Sequence, residues 1–241
     1  MSLVPMRQIL EEAEKGEYGV GAYNVNDMEQ LQGIIWAADE TQSPVILQVS
    51  KTALKYTDKE LLVAMVKVIA EKYKDIPITL HLDHGPSLEL VKEVIDLGFT
   101  SVMIDGSLEA DGKTPRSLED NIRLTKEVVD YAHPFGVTVE AELGTLGGIE
   151  DEIAASRVIL TDPEDAKRFV KETGVDALAL AIGTSHGAHK FKATPKLALD
   201  IVEKIHQDLP NIFLVMHGSS SVPQDLIEEI NAYGCKVAKA M

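Results

Sequence analysis

An α/β barrel, (β/α)8, with parallel strands inside and helices outside, is the fold class this sequence predicts. Three observations predict it. Short apolar runs and amphipathic 3.6-residue segments alternate along the whole chain of 241 residues. Most of the runs are apolar on both faces, as parallel strands covered on each side must be. No Ser/Pro-rich linker and no strand-only or helix-only half divides the sequence, so residues 1–241 read as one barrel domain.

The strands are expected at residues 19–25, 44–50, 77–83, 101–105, 138–143, 177–183 and 212–217. Between them, Met28, Leu31, Ile34, Ile35 and Ala38 have helical spacing, as do Leu61, Met65, Val68 and Ile69, and then Leu88, Val91, Val94 and Ile95. Asn26 with Glu29 and Thr57 with Glu60 read as capping boxes, and Asp162-Pro163 as an N-cap followed by a first-turn proline. Gly98, Gly136 and Gly174 stand where a helix ends and a strand is about to begin. Gly19-Val20-Gly21 lacks the third glycine of a dinucleotide fingerprint, which argues against the alternative, a doubly wound open sheet.

The eighth strand is the weak point. After residue 217 there is room for one helix, near residues 223–233, and residues 234–241 read as a short strand with nothing to cover it. The expectation is therefore that the polypeptide continues past Met241, with its eighth strand and C-terminal helices beyond that point.

Composition narrows the function. With 39 acidic against 23 basic side chains the net charge is −16, which repels nucleic-acid backbones and anionic membrane surfaces. Aromatic residues make up only 5%, too few for base-stacking platforms. The N-terminus has no signal-like apolar stretch and no apolar run is long enough to span a bilayer. A single cysteine, Cys235, excludes an internal disulfide and fits a reducing, cytoplasmic setting.

In a parallel barrel the chemistry gathers at the C-terminal ends of the strands. There the sequence places His81-Leu82-Asp83-His84-Gly85, Asp105-Gly106-Ser107, Glu140-Ala141-Glu142-Leu143-Gly144, Gly183-Thr184-Ser185-His186-Gly187 and His217-Gly218-Ser219-Ser220. Imidazoles from three separate strands suit a catalytic zinc, and His84, His186 and His217 are the ligand set these positions favour. His81 alternates into a packed layer, while His133 and His206 read as a helix terminus and a surface residue.

Asp83 is placed either to move a proton or to orient a ligand. Asp105 and Glu142 are candidate supporting carboxylates or alternative ligands. Glycines, hydroxyls and Lys190 in residues 186–190 and 217–220 can cradle a phosphate. Residues 145–157, opened by Gly147-Gly148 and carrying Glu150, Asp151 and Glu152, read as a lid.

Taken with Gly21-Ala22-Tyr23-Asn24-Val25-Asn26, these motifs resemble the class II fructose-1,6-bisphosphate aldolases over essentially the whole chain. The resemblance implies a zinc-dependent TIM barrel that reversibly cleaves fructose 1,6-bisphosphate into dihydroxyacetone phosphate and glyceraldehyde 3-phosphate, in glycolysis and gluconeogenesis. It implies zinc on His84, His186 and His217, a second, displaced metal position at Asp105 and Glu142, and proton exchange with the C4 hydroxyl by Asp83. By the same carry-over Glu150 is the base for the triose. Gly187, Lys190, Gly218 and Ser220 bind phosphate, and Asn24 and Ser50 lie near the sugar. A monovalent cation, Na+ or K+, near the phosphate and a homodimer or homotetramer also belong to the family pattern.

The family's Asn…Asp-Thr-Asp motif of the eighth strand is not present within the 241 residues. A tagatose-bisphosphate aldolase and a non-catalytic barrel subunit are the rival readings. The seven predicted strands contain no lysine, which argues against an imine mechanism.

Overall fold

The computed structural model describes residues 2–148, 154–186, 196–233 and 235–240. Helix α1 (Met6–Gly16) precedes β1 (Val20–Asn24), α2 (Met28–Thr41), β2 (Val45–Ser50), α3 (Lys51–Thr57) and α4 (Lys59–Lys72). Then follow β3 (Ile78–Gly85), α5 (Leu88–Leu97), β4 (Ser101–Ile104), α6 (Leu118–Ala132), β5 (Thr138–Leu143) and β6 (Gly147–Gly148). The order closes with α7 (Pro163–Thr173), β7 (Ala177–Leu180), β8 (Ser185–His186), α8 (Leu199–Asp208), β9 (Phe213–Met216), α9 (Gln224–Ala232) and β10 (Cys235–Ala240).

Eight strands form a closed, all-parallel barrel in the order β1-β2-β3-β4-β5-β7-β9-β10 and back to β1. One expectation is thereby corrected. The eighth strand does not lie beyond residue 241: it is β10, paired with β1 from Val20↔Val237 to Tyr23↔Ala240 and with β9 from Cys235↔Leu214 to Ala238↔Met216. Two flanking ladders fix this segment although its own pattern, interrupted by Lys236 and Lys239, is a weak strand signal. Those two lysines also remove the argument that the barrel strands contain none.

The barrel divides the core in two. Outward-facing side chains such as Leu80, Leu82, Val102, Val139, Ala141, Leu178 and Leu214 pack with the helices in one cluster. The inner cluster contains Ala22, Ile46, Met103, Ala177, Ala179, Phe213 and Val215 together with Met6, Ile9, Leu10 and Ala13 of α1. Helix α1 is therefore a plug. It sits at the N-terminal ends of the strands, where the Arg7 N–H donates to Thr138 Oγ1 (3.0 Å) and Arg7 pairs with Asp176 at 3.3 Å.

Local punctuation follows physical chemistry with two shifts. The N-cap of α2 is Asp27 rather than Asn26, its carboxylate accepting from the Gln30 N–H at 2.8 Å, while the Asn26 N–H is taken by the Gln30 side chain. The N-cap of α4 is Asp58 rather than Thr57, accepting from the N–H groups of Glu60 and Leu61. Thr57 ends α3 and donates its hydroxyl to the Asn26 carbonyl. Asp162 caps α7 with Pro163 in its first turn, and Gly98, Gly136 and Gly174 all take the left-handed conformation as expected.

Candidate metal centre

The mouth of the barrel is built by strand alternation. On β3, Thr79, His81 and Asp83 point inward while Leu80 and Leu82 point to the helices, and on β5 the inward set is Thr138, Glu140 and Glu142. All six are buried. Alternation would send His84 to the outside, but its φ is +45° and the β3–β4 register slips between Leu82 and Gly85. This bulge turns His84 back toward the mouth, so two consecutive residues, Asp83 and His84, offer ligand atoms to one point. A left-handed histidine costs roughly 1–2 kcal/mol, a strain of the kind that collects at functional sites.

His84 and His217 meet at the centre. His84 Nε2 and His217 Nδ1 are 3.1 Å apart, with ring centroids separated by 4.7 Å at an interplanar angle of 66°. Each ring is held from behind by a carboxylate. His84 Nδ1 lies 2.8 Å from Asp105 Oδ2 and His217 Nε2 lies 3.0 Å from Glu140 Oε1. When those outer nitrogens carry the protons, the inner ones face each other as lone pairs, the arrangement that metal-ligating histidines adopt.

Two sets of donors converge closely enough for an ion: Asp83, His84 and His217, and His84, Asp105 and Glu142. In both sets the ligand atoms lie within 4.8 Å of one another. Burial by itself would raise Asp105, but hydrogen bonds from His84 and from the Ser107 hydroxyl and N–H outweigh it and hold the carboxyl well below the usual range. Asp105 is thus kept as an anion. Buried imidazoles and carboxylates fit a zinc-type cation by the chemistry of the donor set.

The remaining predicted site residues divide by position. Asn24 at the end of β1 accepts from Gln48 Nε2, and the same amide nitrogen reaches Asp83 Oδ2 at 3.1 Å. Ser50 caps α3 by accepting from the Ala53 N–H at 3.3 Å, beside Asp83 in the β2–β3 register. Gly218 is left-handed at φ +69°, and its Cα is so close to residue 185 that an added Cβ would lie 2.5 Å from the Ser185 carbonyl oxygen. Ser220 follows in a short 3-10 turn and is exposed.

His186 is placed on β8, paired with β6, and its description stops at the backbone; the Gly218 contact nevertheless brings its neighbour Ser185 against the His217 loop. Glu150, Gly187 and Lys190 lie outside the described residues. On either side of the undescribed part of residues 145–157, Thr145 is bridged to Ile159 and the Ala154 N–H donates to the Gly112 carbonyl at 2.9 Å.

Two participants were not singled out from the sequence. Gln48, fully buried on β2, ties Asn24 to Asp83, and its Oε1 is buried without a hydrogen-bond partner among the described residues. Glu140 stands two residues before Glu142, so alternation alone would have placed it on the inner face. What alternation could not supply was its partner, His217, which is 77 positions away.

Similarity to known proteins points the same way as the geometry. The family model for fructose-bisphosphate aldolase class-II matches residues 4–239. A fructose-bisphosphate aldolase of Giardia intestinalis is 57% identical over 243 residues, covering 100% of this chain and 72% of that protein. One from Pseudomonas aeruginosa is 48% identical over 252 residues, covering 98% and 71%. Among solved structures, the YdjI aldolase of Escherichia coli K12 superposes with a TM-score of 0.83 at 32% identity, covering 99% of this chain and 81% of that one. The chain belongs to the class-II fructose-bisphosphate aldolase family.

Proposed function

We propose that this chain is a zinc-dependent aldehyde-lyase that cleaves fructose 1,6-bisphosphate reversibly into dihydroxyacetone phosphate and glyceraldehyde 3-phosphate. The observation that carries the reading is the pair of inward-facing imidazole nitrogens, 3.1 Å apart and each backed by a buried carboxylate, next to Asp83. His84 and His217, with His186 as third ligand, would hold the ion, and Asp105 and Glu142 would offer a displaced position beside it. Zinc so held would supply positive charge against the negative charge that develops on the carbonyl oxygen as the carbon–carbon bond breaks.

The chain's own groups do the rest. Asp83, 1% exposed and steered by the Gln48 amide, takes the C4 hydroxyl proton in cleavage and returns it in condensation. Glu150 exchanges the proton at the triose carbon. Asn24 and Ser50 border the sugar, while Gly187, Lys190, Gly218 and Ser220 supply N–H groups, a hydroxyl and one positive charge to phosphate, in a protein whose net charge of −16 otherwise repels it.

A coupled cleavage assay with and without exhaustive chelation, and with borohydride, tests this. Activity should vanish with the metal and return with zinc, borohydride should trap nothing, and Asp83→Asn should lower kcat on the order of 10²- to 10⁴-fold. Turnover that survives chelation, or a borohydride-trapped imine on Lys236 or Lys239, would overturn the reading.

A further inference from the structure

We infer that Glu140 is a positioning residue: its buried carboxylate fixes the tautomer and ring orientation of His217, so that Nδ1 is presented toward His84 as a lone pair. The inference rests on the reading of His217 as a metal ligand but assigns a role to a residue outside the ligand set.

Glu140 is 0% exposed on β5, in register with Met103 on one side and Ala177 on the other. A carboxylate taken wholly out of water is costly unless donors surround it. Here one imidazole hydrogen-bonds it and a second, from another strand, stands close by. His217 Nε2 is 3.0 Å from Oε1, and His81 Nε2 is 3.5 Å from Oε2. His81 is itself held by Ser101 Oγ, 2.8 Å from its Nδ1, and Ser101 Oγ reaches the Thr138 carbonyl at 3.3 Å.

A line of polar contacts therefore descends from the mouth into the barrel interior, through His217, Glu140, His81 and Ser101. Its geometry has one consequence for His217. With an anionic acceptor 3.0 Å from Nε2, the ring proton is drawn to that nitrogen and Nδ1 is left unprotonated. Nδ1 is the atom that faces His84 Nε2.

Two measurements test this. In the zinc-free wild-type protein, ¹⁵N chemical shifts of the His217 ring should report the Nε2–H tautomer. The Nδ1–H tautomer would overturn the proposal. Glu140→Gln, nearly isosteric, should weaken zinc binding about 10- to 100-fold in competition against a chromogenic chelator. Its kcat at saturating zinc should recover to within about threefold of wild type, since the carboxylate touches no substrate. His81→Gln, which alters only the far side of Glu140, should leave zinc affinity within about threefold by the same measure.

Equal zinc affinity in Glu140→Gln and wild type would refute the role, and an equal loss in both variants would show a general packing effect instead. Should Glu140→Gln fail to fold, the tautomer measurement on wild type still decides. If wild type binds zinc but cleaves no sugar bisphosphate, the proposed activity fails while the role of Glu140 stands.

Discussion

Substituting Gly218 by alanine tests whether the His217 loop and the Ser185-His186 backbone are packed as the structure shows. Two penalties apply at this position. The residue sits at φ +69°, where a side chain costs roughly 1–2 kcal/mol. The new Cβ would also lie 2.5 Å from the Ser185 carbonyl oxygen, 3.0 Å from its carbonyl carbon and 3.1 Å from its nitrogen. All three are backbone atoms, so relief requires moving the chain, at roughly 1–3 kcal/mol.

Gly136 isolates the second penalty. Its φ is +71°, nearly the same, yet an added Cβ meets nothing within 4 Å. Gly136→Ala should therefore cost only the backbone penalty, reduced by the entropy alanine removes from the unfolded chain, leaving about 1 kcal/mol. Gly218→Ala should cost roughly 2–4 kcal/mol. Urea unfolding of both variants, at equal m-values, gives the comparison. Equal destabilisation of the two would show that residue 185 does not press on Gly218, and the argument that β8 delivers His186 beside His217 would lose its footing.

Two further outcomes are expected. Leu10→Ala removes a fully buried side chain of α1 from the inner cluster and should destabilise by roughly 2–5 kcal/mol in urea, without altering zinc affinity, because the plug lies at the opposite end of the barrel. A change below about 1 kcal/mol would mean that α1 merely rests on the surface. Asp111 accepts from the Thr114 and Lys113 N–H groups and the Thr114 hydroxyl, which hold its pKa down at about 2. A depressed carboxyl stabilises its turn above the unfolded value of about 3.9, and that contribution disappears as pH falls through about 2. An NMR titration showing Asp111 with an ordinary midpoint would contradict those hydrogen bonds.

What the sequence disclosed depended on whether the cause was local. Seven strands were legible because apolar runs such as Val45, Ile46, Leu47 and Val49 have to be covered on both faces, and Asp162-Pro163 was legible because a cap acts within one turn. The plug α1 was overlooked although Met6, Ile9, Leu10 and Ala13 have the spacing of a helix face; what it covers is the barrel bottom, made of strands far away in sequence. β10 was underrated for the complementary reason, since its two neighbouring ladders supply what its composition does not.

At the site the motifs around Asp83, His84, Asp105, Glu142 and His217 were readable one at a time. The left-handed turn that lets Asp83 and His84 face the same way was not, because a non-glycine residue at φ +45° is imposed by the surrounding fold. Nor could spacing along the chain show that Glu140 stands behind His217.

The buried charges around His84 bear on why its strain is tolerated. Asp83, Asp105, Glu140 and Glu142 are all buried, and the side chains interleaved with them include His81, His84 and His217. Neutral imidazoles solvate carboxylates but do not cancel their charge, so these buried side chains concentrate negative potential at the mouth. Among the described residues, compensation would come from protons on the rings or from a cation between them. Asp105, held well below the usual carboxylate range, does not take up the proton itself near neutrality. Where His84 Nε2 and His217 Nδ1 stand 3.1 Å apart, two lone pairs would repel. A proton there relieves one pair of nitrogens, whereas a divalent cation relieves both rings and the carboxylates around them. The same concentration of charge would therefore favour a divalent cation at this place, and the bend at His84 is the local strain through which that imidazole joins the group.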